Sequence, residues 1–437
     1  MKTKLTSALL LLTLFSFSCK KDHINENSQN GSSTPTSPVT PVVPKATGNS
    51  VLTFNVMVSN KIIAGVIDTT KGTIIFTLPN NPGVDPGLMR PFFKVSAKAT
   101  VTPDTTASKD FTTPVKYVVK AENGTTHIYR VMAVSASFAK LIPKAPMPLI
   151  IFYGIPSLVN GSTTIAQAAQ FFAQFKLIVF GDHLNDPSSQ WRSSTIQLIS
   201  AIRALDATTQ IYGYTDLGNT ENLTLTQLRT SIDNWHSMGV QGVFFDEVDY
   251  AYNNTRSRQN NVINYTHGKG MHVFMNSYTI DDVLADYNGA PSLMNKTDIE
   301  LLESLLVKQG TITPLSEFYQ RANKAYIYMR TKGIKIAVAS TIALSNLNSS
   351  SNATDAFKFA WCGTAMYNFD YFQFTDSNYS ATNSNAYFFP NLTNSLGSSF
   401  KPEFDWIRPN GADEYYRSTN TNTIHIYSTG KGAISKP

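Results

Sequence analysis

Acidic residues are sparse in this chain, yet they gather at particular places. Charged residues make up 15% of the 437 positions, against 42% hydrophobic and 11% aromatic. Asp246-Glu247 follows directly on Gly242-Val243-Phe244-Phe245, and Glu303 follows Ile299-Glu300-Leu301-Leu302. Tyr153, Asp182-His183, Tyr214 with Asp216, Asn276 with Tyr278, and Asp376 each close a further apolar run, and Asp249 lies just past Asp246. Carboxylates on neighbouring apolar walls suit cleavage of a glycosidic bond. One protonates the leaving oxygen while the other attacks or activates water. The apolar wall raises the pKa of one partner, and the second carboxylate drives the two further apart. Asp246, Glu247 and Glu303 are therefore the candidate catalytic residues. Tyr153, Tyr214 and Tyr278, whose rings could stack on sugars, form a candidate substrate-binding set with Asp182, Asp216 and Asn276. An acid at a strand end is also a common helix cap, and Asp182 and Asp376 are equally open to that use.

The elements that must carry these residues can be read from periodicity. Leu149–Tyr153, Leu177–Phe180, Gln210–Tyr214, Gly242–Phe245, His272–Met275, Ile299–Leu302, Ile334–Ala339 and Tyr371–Phe374 read as buried strands. Between them Ile165–Phe175, Thr195–Leu205, Leu225–Met238, Asn260–His267, Ile280–Tyr287, Leu315–Thr331 and Thr354–Tyr367 read as helices. Near-continuous apolar strands alternating with helices predict a parallel sheet covered on its outer face. Eight of them over residues 145–437 predict an α/β fold, the (β/α)8 TIM barrel, whose site forms where the strands end. No glycine-rich fingerprint follows the first strand, so no nucleotide cofactor is expected.

Upstream the composition changes twice. Val51–Val58, Thr73–Leu78, Phe92–Val95, Val115–Val119 and His127–Val134 alternate as strands between turn-rich stretches, predicting a small β-sandwich over residues 51–137. Residues 19–50 are rich in Ser, Thr, Asn and Pro and read as a disordered tether. Residues 1–18 read as a signal peptide: Lys2 and Lys4 form a basic start, Ala8 to Phe17 is apolar, and small residues precede Cys19. Removing those two lysines takes the balance from +6 to 34 basic against 30 acidic residues, or +4. Without a dense basic cluster, a nucleic-acid partner is not expected.

Several stretches resemble known families. A cysteine directly after the apolar run resembles the bacterial lipobox, and Cys19-Lys20-Lys21-Asp22 resembles the start of many Bacteroidetes lipoproteins. This implies lipidation of Cys19, a membrane anchor and a cell-surface location; the remaining Cys362 then has no disulfide partner. Ala121-Glu122-Asn123-Gly124-Thr125 and the strand after it resemble the Ig-like modules of Bacteroidetes surface lipoproteins. Gly239-Val240-Gln241-Gly242-Val243-Phe244-Phe245-Asp246-Glu247-Val248 resembles the fourth-strand motif of the spherulin-4 family and of endo-α-1,4-polygalactosaminidases. Ile211-Tyr212-Gly213-Tyr214, Met275-Asn276-Ser277 and Thr297-Asp298-Ile299-Glu300-Leu301-Leu302-Glu303-Ser304 resemble their third, fifth and sixth strands. The resemblance covers most of residues 148–345. It implies an endo-acting hydrolase of galactosamine-containing exopolysaccharide, with Asp246 as nucleophile or base, Glu303 as acid/base and Glu247 as a third essential carboxylate.

Two other classes compete. A non-catalytic surface lipoprotein could bind polysaccharide with the aromatic rim alone. A metal-dependent phosphodiesterase could use Asp182, His183, Asp246 and Glu247 as ligands, but the seven histidines are scattered and no two have ligand-like spacing.

Overall fold

In the computed structural model, alternating short strands near the N-terminus form two facing sheets. The described residues are 44–58, 61–78, 89–105, 107–111, 114–135, 141–181, 183–343, 350–401, 405–407 and 414–436. The signal peptide, Cys19, nearly all of the tether and Asp182 lie outside them. Residues 46–437 cluster as one compact unit.

One sheet has the order β2-β1-β5, from β1 (Val51–Val58), β2 (Lys61–Ala64) and β5 (Pro91–Val95). The other has the order β3-β4-β8-β7-β6, from β3 (Val66–Asp68), β4 (Thr73–Leu78), β6 (Thr100–Thr102), β7 (Val115–Lys120) and β8 (Thr126–Ser135). Their inner faces bury one core, with Phe111 at its centre packed edge-on against both Phe54 and Phe76. The five strands read from periodicity are present. The three short strands β2, β3 and β6 carry too few residues for alternation to show. On the outer face of β8, Met132 packs into the larger core downstream, its sulfur accepting from Tyr319 Oη at 3.0 Å.

That larger core belongs to a closed parallel barrel of order β10-β11-β12-β13-β14-β17-β18-β9. Its strands are β9 (Met147–Phe152), β10 (Leu177–Phe180), β11 (Gln210–Asp216), β12 (Gly242–Asp246), β13 (His272–Ser277), β14 (Ile299–Glu303), β17 (Lys335–Ile342) and β18 (Tyr371–Asp376). All eight coincide with the apolar runs of the sequence. Helices α1 (Ile165–Phe172), α2 (Arg192–Leu205), α3 (Leu225–Ser237), α4 (Arg256–Gly268), α5 (Ile280–Leu284), α6 (Leu315–Lys332) and α7 (Ser350–Met366) alternate with them. The strands are apolar on both faces because one face meets the helices and the other fills the barrel. Leu149, Ile151, Leu177, Val179, Phe244, Phe274, Leu301 and Ala339 form the interior cluster, separate from the helix-facing one. Threonines start several helices. Thr164 accepts from Gln167 N, Thr255 from Arg258 N, and Thr224 and Gln227 cap each other reciprocally.

Two features depart from an uninterrupted repeat. A hairpin of β15 (Val307–Lys308) and β16 (Thr311–Ile312) follows the sixth barrel strand. Beyond β18, strands β19 (Asp405–Ile407), β20 (Glu414–Ser418), β21 (Thr423–Tyr427) and β22 (Gly432–Ser435) form a four-stranded antiparallel sheet. Among the described residues no helix is long and apolar enough to cross a membrane.

Candidate active site

Along each barrel strand every second residue points inward. The interior phase that runs Phe244, Phe274 and Leu301 therefore continues upward into Asp246, Asn276 and Glu303. Above the apolar layer sits an aromatic one. Tyr153 packs edge-on against Tyr214 at 5.4 Å between ring centres and stacks on Tyr379 at 5.7 Å. Tyr214 in turn tilts over Phe244 at 6.0 Å. The carboxylates rest on this hydrocarbon floor.

Asn276 joins the two central acids. Its Nδ2 donates to Asp246 Oδ1 at 2.8 Å and to Glu303 Oε2 at 3.2 Å. Contacts of 2.8 and 3.2 Å on one nitrogen hold those two oxygens within about 6 Å of each other. Asp246 Oδ1 also accepts from Glu247 N at 2.9 Å, while its Oδ2 has no hydrogen-bond partner among the described residues. Both oxygens of Glu303 are engaged, since Tyr379 Oη donates to Oε1 at 2.6 Å. Burial pushes the Asp246 carboxyl up to about 6; the two donors on Oδ1 oppose that, and the charges of Glu303 and Glu247 add to it.

The other candidates divide. Glu247, in left-handed backbone at φ 53°, turns toward the loop after β11, where Thr220 N at 3.1 Å and Thr220 Oγ1 at 2.5 Å donate to it. It shares the cleft wall with Asp246 and Glu303 but is held from the β11 side. Asp216 pairs across the ladder with Asp246 yet is only 1% exposed, and its Oδ1 is a buried atom without a hydrogen-bond partner among the described residues. Burial, then the charge of Glu247, pushes it up to about 6. Tyr278 is 71% exposed on the rim, with the Arg321 guanidinium 5.3 Å from its ring centre. Asp249 serves the backbone instead: its oxygens accept from Tyr278 N at 2.8 Å and Thr279 N at 2.7 Å, fixing the entry to α5. Asp376 ends β18 with Oδ2 buried and without a hydrogen-bond partner among the described residues, and it is not part of the cleft lining.

The cleft itself encloses about 650 Å³ and runs from Asp246, Asn276 and Glu303 toward the β15–β16 hairpin and the start of α6. Tyr252, Lys308 and Glu317 also line it. Arg321 fixes the far side, donating to Glu303 O at 2.9 Å and Ser304 O at 3.1 Å. Tyr379 and Arg321 were not among the residues expected from sequence. Tyr379 lies three residues beyond Asp376, so reading each strand end slightly further finds it; no sequence signal marks Arg321. Among the described residues, no three His, Cys, Asp or Glu side chains are grouped to hold a metal ion.

Comparison with known proteins covers parts of the chain. Residues 51–133 match the family described as SGBP, N-terminal, the N-terminal part of surface glycan-binding proteins. No curated protein matches the chain. Among solved structures, a protein of Bacteroides thetaiotaomicron titled as a candidate glycoside hydrolase is 20% identical, with TM-score 0.20. The match covers 25% of this chain and 31% of that one, so the chain spans under a third of that protein's length. The glycoside hydrolase domain of PelA from Pseudomonas aeruginosa is 10% identical over 55% of this chain and 100% of its own, with TM-score 0.34. The catalytic module of a family 98 glycoside hydrolase from Streptococcus pneumoniae is 11% identical over 55% of this chain and 48% of its own, also with TM-score 0.34.

Proposed function

We propose that this chain is an endo-acting glycoside hydrolase that cleaves a cell-surface or extracellular polysaccharide with retention of configuration. The single observation that carries the reading is the Asn276 bridge, which keeps Asp246 Oδ1 and Glu303 Oε2 within about 6 Å. Retaining glycosidases hold their two carboxyls about 5–5.5 Å apart, whereas inverting ones need roughly 6.5–9.5 Å to admit water.

The surroundings support one division of roles. Asp246, pushed up to about 6 with one oxygen unpartnered, is the group able to carry a proton into the cleft. Glu303, with both oxygens accepting hydrogen bonds, has the arrangement of a carboxylate. Glu303 attacks the anomeric carbon while Asp246 gives its proton to the departing glycosidic oxygen. Asp246, now ionised, takes a proton from water, and the resulting hydroxide breaks the glycosyl–Glu303 ester. This reverses the division of labour implied by family position, because environment, not chain order, decides which carboxyl holds the proton. Glu247 contributes charge close to both acids. The substrate class is a galactosamine-containing exopolysaccharide, following the resemblance of the third to sixth strands. The proposed location is the outer membrane, through a lipid on Cys19, with residues 51–137 as a module between tether and barrel.

A second reading, glycan capture without cleavage, is favoured by the match of residues 51–133 to surface glycan-binding proteins. Release of reducing ends from galactosamine-rich exopolysaccharide separates the two. The hydrolase reading expects release by the native protein and loss of at least about 1,000-fold in both Asp246→Asn and Glu303→Gln. Binding by the native protein with no release, or release unchanged in both variants, overturns it.

A further inference from the structure

Tyr379 has no part in the scheme above, yet it makes one of the shortest polar contacts in the site. It lies in the segment after β18, outside every stretch that resembles a known family. The 2.6 Å contact to Glu303 Oε1 has only one polarity at neutral pH: the phenol donates and the carboxylate accepts. Burial, followed by the charge of Glu303, holds the Tyr379 phenol well above its ordinary value, so the donor survives across the working pH range.

Its placement is built rather than incidental. The ring stacks on Tyr153 with 23° between planes, and Tyr153 is wedged against Tyr214. The backbone around it is fastened at several points. Asn383 Nδ2 donates to Asn378 O at 2.8 Å, and Asn378 N donates to Asp376 Oδ1 at 3.2 Å. Further along, Asn160, after β9, accepts from Ala386 N at 2.8 Å through Oδ1 and donates to Ala386 O at 3.0 Å through Nδ2. Asn160 N also reaches Ser384 O at 2.9 Å. The Tyr379 hydroxyl thus cannot follow Glu303 if that side chain swings. It defines where Glu303 must be.

We propose that Tyr379 is a positioning residue for Glu303, holding Oε1 so that Oε2 faces the anomeric carbon and stabilising the carboxylate when it is released from the glycosyl ester. This rests on the hydrolase reading for its catalytic consequence, but the contact itself can be tested without substrate. In the first step the donor on Oε1 orients the attack. In the second step Glu303 is the leaving group, and a hydrogen bond to its oxygen lowers the barrier to its departure. Asn276 cannot supply both, because its amide is shared with Asp246.

The test compares native protein with Tyr379→Phe, which keeps the stacking and deletes only the hydroxyl. Tyr265→Phe is the control, removing a hydroxyl that donates to a carboxylate, Asp233 Oδ2 at 2.9 Å, outside the cleft lining. On a galactosamine-containing oligosaccharide, Tyr379→Phe is expected to lower kcat roughly 10- to 100-fold with KM within about twofold. The acidic limb of its pH profile should move upward by about one pH unit, since a donor that favoured the charged carboxylate is gone. Tyr265→Phe should change neither. Without substrate, carbon-13 titration of Glu303, assigned by its disappearance in Glu303→Gln, should show the midpoint rising in Tyr379→Phe alone. A midpoint unmoved in Tyr379→Phe overturns the proposal, whatever the activity. Failure of the hydrolase reading shows itself separately, as cleavage that persists in Glu303→Gln.

Discussion

Asn276 is the residue whose removal most directly examines the site. Its amide donates to two carboxylates at once, and Asn276→Ala deletes both contacts while leaving the apolar floor intact. A hydrogen bond to a charged group contributes about 1.5–3 kcal/mol. The 2.8 Å bond to Asp246 belongs in that range, and the 3.2 Å bond to Glu303 falls below it. Asn276 is half-buried, so water refills part of the gap. A net loss of about 2 kcal/mol in the transition state is reasonable, or roughly 30-fold in kcat/KM. The pH dependence is the sharper readout. In the proposed scheme Asp246 acts while protonated, so kcat/KM should be full below its pKa and fall as pH rises through about 6. The Asn276 donor opposes the upward push on Asp246, so its loss raises that carboxyl further. About 1.4 kcal/mol corresponds to one pH unit, so the alkaline limb should move to about 7. The assay is kcat/KM from pH 4 to 9 for native protein and variant, with reducing-end release as the signal. An alkaline limb that stays in place, or an acidic limb near 6 that moves upward instead, refutes Asp246 as the proton donor. The second pattern would mark it as the nucleophile.

Asp216 gives a stability prediction of opposite character. It is 1% exposed, with its carboxyl pushed up to about 6 from the usual carboxylate range near 4. The folded state therefore binds the proton more tightly than the unfolded chain, and stability declines between about pH 4 and 6, by up to roughly 3 kcal/mol. Asp216→Asn should raise Tm by a few degrees at pH 8 and leave it unchanged at pH 4; thermal melts with no difference at pH 8 sink this. Gly213→Ala should destabilise by about 2–3 kcal/mol, because an added Cβ would lie 2.0 Å from the buried Trp235 ring. Denaturant unfolding within about 0.5 kcal/mol of native would contradict it. Cys362 is fully buried with its thiol pushed up to about 12, so it should resist thiol reagents until the protein unfolds. Stoichiometric labelling of the native protein would show otherwise.

The barrel was legible because its strands are apolar on both faces, and runs such as Leu177–Phe180 and Gly242–Phe245 have no other comfortable home. The central acids were legible for the same reason: a carboxylate closing such a run must emerge at the barrel mouth. What period and propensity could not separate was use. Asp249 and Asp246 look alike in sequence, three residues apart, yet one fastens the start of α5 and the other faces the cleft. Glu247 looked equivalent to Asp246, but the left-handed turn at its own backbone sends it toward Thr220. Tyr379 was missed for a different reason: it sits three residues past its strand end, on a segment held by asparagines bonding to backbone groups. The last sheet, β19–β22, does alternate, as in Thr423-Ile424-His425-Ile426-Tyr427. Its polar face is rich in Thr and Tyr, which blurs the contrast that alternation relies on.

Glu247 and Ser304, each directly following one of the central acids, both adopt left-handed backbone, at φ 53° and 54°. Such residues cost of order 1 kcal/mol where glycine is absent. The chain thus turns immediately after Asp246 and again after Glu303, before the next loop begins. The hairpin β15–β16 could lengthen, shorten or change its side chains, and Glu303 would still be aimed by its strand and its turn. On the proposed hydrolase reading, loop replacement alone would alter the polymer accepted while the chemistry at the two strand ends is kept.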